Sequence, residues 1–314
     1  MAESDTDLIS IPAIVKISEE RYKSTTYKAT SNVNGNVCRP VILDIRETYF
    51  GSDLHKRFSA SRDVDLLNET FSKLSGFHPD PYVVNDNNSE KEHDPLFSAE
   101  NLKKELRNIA SNEEITRNSE IFLCVVLAFG GSGYFYLPNK QKSLKPQKFS
   151  VNDLLLFFKG NNCPNLILKP KIFILQSCNP NLKKVNRANF AGGLPSPQIC
   201  RVPIEADILI YLSEVSGRYT DAMKRETKEK RNIDQTACQF VYTLYEEVRK
   251  LTDRKEEFEI TELIIGVNLS LWGFIKDGYY ESDEGFPWNI DPKVPVCIDQ
   301  LTKKLVLTKR KSSE

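Results

Sequence analysis

Histidine is scarce in this sequence: three occur among 314 residues, at positions 55, 78 and 93. No CxxC pair is present, and none of the three lies near any of the seven cysteines (38, 124, 163, 178, 200, 238 and 297). Spacing therefore argues against a structural zinc site. The odd, scattered cysteine count argues for free thiols in a reducing compartment and against a disulfide framework. Charge of one sign is not in excess either, with 43 Lys+Arg against 43 Asp+Glu. A neutral chain has no global pull on nucleic acid or an anionic membrane. The longest apolar run, Ile121–Phe129, is too short to cross a bilayer. The opening residues MAESDTD are acidic and polar, so neither a secretory signal nor a transit peptide is expected, and a cytoplasmic location follows.

What is present suits a folded domain. The chain is 40% hydrophobic and 27% charged, and is long enough to bury a full core. Short apolar runs at Pro40–Ile45, Ile121–Ala128, Lys171–Gln176 and Ile204–Ser213 predict buried strands. Between them lie helix signals. Val64, Leu67, Phe71 and Leu74 fall at helical spacing before Gly76, and Ser98 and Ser150 offer N-caps. Ala237, Phe240, Val241, Leu244, Val248 and Leu251 mark an amphipathic helix, and Ile260, Leu263, Ile264 and Val267 repeat the pattern. Residues 79–96 are polar and rich in turn formers, predicting a loop, and 179–202 form a Pro/Gly/Asn-rich connector. Val294–Leu307 closes the chain with strand signal. Strands alternating with helices in this order predict an α/β three-layer sandwich with a mostly parallel central sheet.

One constellation carries chemistry. Cys178 stands in Gln176–Ser177–Cys178–Asn179–Pro180, at the end of the longer run CPNLILKPKIFILQSC. Position 129, which ends the apolar run IFLCVVLAF, lies 49 residues upstream. Arg57–Phe58–Ser59–Ala60 with Asp63–Val64–Asp65, then Ile204–Asp207, Gly217 and Tyr219, and finally Val294–Leu307 follow in order. Together these segments resemble the caspase family of cysteine peptidases, over nearly the whole chain from about residue 27.

The resemblance implies a caspase-like sandwich in one uncut chain. Residues 1–26 would be a short leader, 27–178 the large-subunit region, 179–202 the intersubunit linker and 203–314 the small-subunit region. It implies no metal or cofactor. It assigns Cys178 to the nucleophile position and Gly130 to the oxyanion-hole position. Arg57, Gln176 and Tyr219 would be what remains of a pocket for an aspartate side chain. Val296 and Ile298 would lie on the strand through which protomers pair.

The departures bear on activity. Where the family has Ser-His-Gly, this chain reads Ala128–Phe129–Gly130, so Phe129 holds the position of the catalytic histidine. A phenyl ring neither accepts nor donates a proton, and loss of the base costs about 10⁶ in turnover in a serine-peptidase precedent. Pro180 replaces a glycine beside the cysteine and deletes an N–H. The second pocket arginine is expected just after Tyr219, where Thr220–Asp221–Ala222 stands instead. No Asp or Glu occurs from Asn179 to Pro203, so cleavage after aspartate is not expected there.

The expected function is therefore that of a catalytically inactive caspase homologue. It would regulate an active caspase paralogue by direct pairing, or pair with itself, without nucleic acid or membrane. The alternatives are a weak or altered cysteine endopeptidase using Cys178, and a homodimeric scaffold. Gly130–Gly133 (GGSG) lacks the Gly-Lys-Ser/Thr of a phosphate loop. Lys224–Arg231 reads as a solvated face, and Glu205 and Asp207, two apart on a strand, read as inherited structure.

Overall fold

The computed structural model describes residues 24–29, 37–50, 53–57, 59–85, 98–131, 133–137, 146–179, 206–216, 237–276 and 295–311. Its central sheet runs β12 (Val296–Asp299), β10 (Ile208–Ser216), β9 (Lys171–Asn179), β6 (Phe122–Gly131), β2 (Val41–Asp44), β5 (Tyr82–Asn85). The four pairings from β10 to β5 are parallel, and β12 runs antiparallel on the outside of β10. Period-two alternation sends each strand's side chains into two separate cores. From β6, Leu123, Val125 and Leu127 enter one core, while Phe122, Cys124, Val126 and Ala128 enter the other.

Helices close both faces. The first core is covered by α1 (Ala60–Ser72), α5 (Gln239–Arg254) and α6 (Ile260–Lys276). The second is covered by α2 (Ala99–Ser111), α3 (Glu113–Thr116) and α4 (Val151–Leu156). The predicted caps form: Ser98 Oγ accepts from the Asn101 N–H, and Ser150 Oγ from that of Asp153. Smaller pieces complete the fold. β1 (Thr26–Ala29), β13 (Lys304–Thr308) and β11 (Glu257–Glu259) make a separate sheet, β3 (Glu47–Phe50) pairs with β4 (Asp53–Lys56), and β7 (Tyr134–Tyr136) links β6 to β8 (Lys148–Ser150).

Several expectations need correction. Residues 82–85, predicted as loop, form β5, whose only described partner is β2. An edge strand of four residues needs little apolar sequence, because only Val84 is buried there. The closing stretch is two strands in two sheets, and only β12 joins the central one. Asp207 is not on a strand. It precedes β10 at φ 64°, a left-handed conformation that Asp tolerates, and its Oδ1 accepts the Thr302 N–H at 3.0 Å. Leader residues 1–23, linker residues 180–202, residues 203–205 with Glu205 among them, and Gly217 through Thr236 lie outside the described residues.

Candidate active site

Cys178 lies within β9 rather than just after it, next to the C-terminal end of the parallel sheet where such folds build sites. Parallel register sets it beside Phe129 of β6 on one side and Val215 of β10 on the other. The Cys178 side chain is buried, and Phe129 and Tyr136 are buried against it, with Tyr134 packed at their margin. The two tyrosines reach this place because the chain turns back sharply after Phe129. A Cβ on Gly130 would stand 2.5 Å from the Tyr134 carbonyl oxygen, and Gly133 adopts φ 84°. Gly130 itself pairs with Phe135 across that turn. Lys148 Nζ sits 4.2 Å above the Tyr134 ring and closes the outer side.

Beneath the thiol, Gln176 Nε2 donates to Sγ at 3.4 Å, while Gln176 Oε1 is buried without a hydrogen-bond partner among the described residues. Burial pushes the Cys178 thiol up from its ordinary value, and Arg57 and Gln176 only partly pull it back. A thiol in that state is not the thiolate that attacks a carbonyl.

Arg57 belongs to a buried charge network. Its Nη1 donates to Asp44 Oδ1 at 2.7 Å and to the Leu127 carbonyl at 3.1 Å, and Nη2 donates to Asp63 Oδ2 at 2.6 Å. All three side chains are shut off from solvent. Asp44 also accepts from Arg46 Nε at 2.6 Å, so two cations face two anions. Asp63 Oδ1 accepts the Cys238 N–H at 2.6 Å, at the start of α5, and Oδ2 accepts the Ser59 hydroxyl at 2.8 Å. The network therefore ties β2, α1 and α5 together. Burial would lower the Arg57 pKa, but Asp63 and Asp44 outweigh it and hold the guanidinium above its ordinary value. Burial, then Asp63, drives the Cys238 thiol well up.

The structure thus brings Cys178, Phe129, Gly130, Gln176 and Arg57 into one region. Tyr219, Pro180 and Asp221 lie outside the described residues, as do His93 and the side chain of His55. His78 sits by the start of β2, where its N–H donates to the Cys38 carbonyl, and its Nδ1 accepts the Asp80 N–H at 3.1 Å. That is the opposite end of the sheet from Cys178. Among the described residues no three His, Cys, Asp or Glu side chains are grouped to hold a metal. Sequence reasoning gave no role to Asp44, Asp63, Cys238, Tyr134 or Tyr136. A legible signal existed for one of them: Asp44 ends an apolar strand and so required a buried cation.

The Caspase domain profile matches residues 41–288. This chain belongs to the caspase family. It is 26% identical over 286 residues to mouse (Mus musculus) Caspase-3, covering 90% of this chain and 87% of that one. Rat (Rattus norvegicus) Caspase-8 is 23% identical over 266 residues, covering 81% of this chain and 46% of that protein. Among solved structures, pro-sf-caspase-1 superposes with TM-score 0.61 at 21% identity, covering 90% of this chain and 98% of that one. Caspase-1 from Spodoptera frugiperda gives 0.58, also at 21%. The caspase sandwich is the fold of this chain. Among the described residues no helix is long and apolar enough to cross a membrane.

Proposed function

We propose that this caspase-family chain regulates an active caspase paralogue by direct pairing in the cytoplasm, modulating apoptosis, and does not itself hydrolyse peptides. The observation that carries the reading is Phe129 beside Cys178, with both side chains buried. A peptidase needs an imidazole or equivalent at that place to ionise the thiol and protonate the departing amine. Here the neighbour is a hydrocarbon ring, and burial holds the sulfur in its protonated form. The pocket follows the same direction, because Arg57 already faces two carboxylates of its own chain. The subunit layout read from the sequence, with an uncut linker at 179–202, belongs to this proposal.

Pairing through an edge strand does not require a working catalytic site. Among the described residues β12 is the outer strand of the sheet, and Val296 on it is 49% exposed. Ile298 instead packs partly against the second core, so Val296 is the position to alter. Purified chain is expected to capture an active caspase from a panel of purified enzymes and to change its turnover. Val296→Lys should weaken that capture. Hydrolysis of an aspartate peptide by the chain alone, abolished in Cys178→Ala, would replace this reading with that of an altered endopeptidase.

A further inference from the structure

Ile265, Leu269 and Trp272 on α6 are 58%, 66% and 51% exposed. Spacings of four and three residues set them in one uncharged line along the helix. Other faces of the helix are engaged. Leu263, Ile264 and Val267 enter the first core, and the flank toward α5 packs Gly266 and Ser270 on Glu247. On the opposite flank Asn268 Oδ1 accepts the Tyr211 hydroxyl at 2.6 Å. Three large apolar side chains left out of an otherwise packed helix make a patch of the kind that receives a partner.

A segment of the same chain is within reach. Just after Ser24, the first described residue, the Thr25 carbonyl accepts the Lys304 N–H at 3.3 Å. Lys304 Nζ in turn meets Glu259 at 2.8 Å, and Glu259 immediately precedes α6. The chain before Ser24 therefore departs from a point joined through Lys304 to the foot of α6. Helix rise spaces Ile265 and Trp272 by about 10 Å and sets Trp272 about 18 Å above Ile260. Val15, nine residues before Ser24, can lie up to about 30 Å from it.

The leader also has the matching chemistry. Ile9, Ile11, Ala13, Val15 and Ile17 are apolar at every second place, with Ser10, Pro12, Ile14 and Lys16 between them. Period two gives an extended segment one apolar side, and Pro12 turns Ile11 away from the helical region. No charge occurs from Leu8 to Val15. Residues 277–294, which follow α6, carry five carboxylates instead (Asp277, Glu281, Asp283, Glu284 and Asp291), a poor match for an apolar line.

We infer that residues 9–17 dock in extended form on the α6 line of Ile265, Leu269 and Trp272 of the same molecule. The inference concerns a contact within one chain and stands independently of the pairing function proposed above. Six residues, 18–23, join the segment to Ser24. So short a link gives an effective concentration of about millimolar, which holds a contact too weak to retain a separate peptide. The docked leader shields the apolar line, and its release bares it.

Hydrogen exchange of the full chain, read by mass mapping, tests this, with a thermal melt of every variant. Amides of residues 9–17 should exchange about tenfold or more slower than in a free peptide of that sequence, at every protein concentration. The double variant Leu269→Glu/Trp272→Glu should return them to the free rate, and the milder Leu269→Gln should move them toward it, while the fold still melts cooperatively. From the other side, Ile11→Glu/Val15→Glu should raise hydroxyl-radical oxidation of Trp272 severalfold. Free-rate exchange in wild type overturns the inference. So does protection that survives the double helix variant, because the segment would then lie elsewhere. Protection that fades on dilution assigns the segment to a second molecule and overturns docking within one chain. If the helix variants fail to fold, the leader variant decides: unchanged Trp272 oxidation overturns the inference and leaves the line to residues 277–294 or to a partner.

Discussion

Phe129 and Cys178 are register partners on adjacent parallel strands, and their side chains, 1% and 2% exposed, pack together at the end of the sheet. The ring is therefore a piece of core as well as the immediate neighbour of the thiol. Phe129→Ala should cost about 3–5 kcal/mol of folding free energy, read by urea unfolding, because a buried phenyl leaves a cavity. The same variant should label faster at Cys178 with iodoacetamide, since the cavity admits the reagent.

Burial raises the Cys178 pKa, so its thiolate fraction at neutral pH falls below that of a free cysteine at about 8.5. In the wild-type chain, labelling of Cys178, followed by peptide mass mapping, should stay slow through neutrality. It should accelerate only above the pH at which free cysteine does. A rate that levels off near neutrality would mean that something in the site ionises the sulfur after all.

Arg57→Ala leaves Asp44 and Asp63 buried without their shared cation, at an expected loss of about 3–5 kcal/mol. The folded pKa of Arg57 lies above its unfolded value, so its contribution is fully present at any pH below that unfolded value. The deficit measured by urea unfolding should be no smaller at about pH 9 than at about pH 6, because burial already raises the Asp63 pKa and the variant removes the cation that opposes it. Arg57→Lys should recover only part of it, since a point charge cannot reach both carboxylates as a planar fork does.

Glu247 on α5 accepts from Lys250 Nζ at 2.6 Å and from Ser270 Oγ of α6 at 2.7 Å. Burial pushes its carboxyl up, but these hydrogen bonds outweigh it and hold the pKa below the ordinary 4.5. A depressed folded pKa gives stability that is present above 4.5 and lost as pH falls through the folded value. Glu247→Gln should therefore destabilise by about 1–2 kcal/mol at neutral pH, with the difference from wild type fading in acid.

The central strands β2, β6, β9 and β10 were legible because each is buried on both faces and so reads as a continuous apolar run. β5 was not, since its place is decided by hydrogen bonds to β2, more than thirty residues earlier, rather than by its own polar surroundings. The division of the closing stretch was hidden for a similar reason. The same β-forming pattern serves β12 beside β10 and β13 beside β1, and only the partners differ.

At the site, the amino-acid order alone determined the family and the order of Phe129 and Cys178 along the chain, because residue identity needs no coordinates. Tertiary structure decided the rest. It set the tyrosines against the thiol, gave Arg57 to two internal carboxylates, and left Ile265, Leu269 and Trp272 of α6 exposed. Periodicity shows that a helix has an apolar side. Whether that side is covered depends on neighbours brought from distant parts of the chain, and burial, which sets both packing energy and pKa, exists only once they are in place.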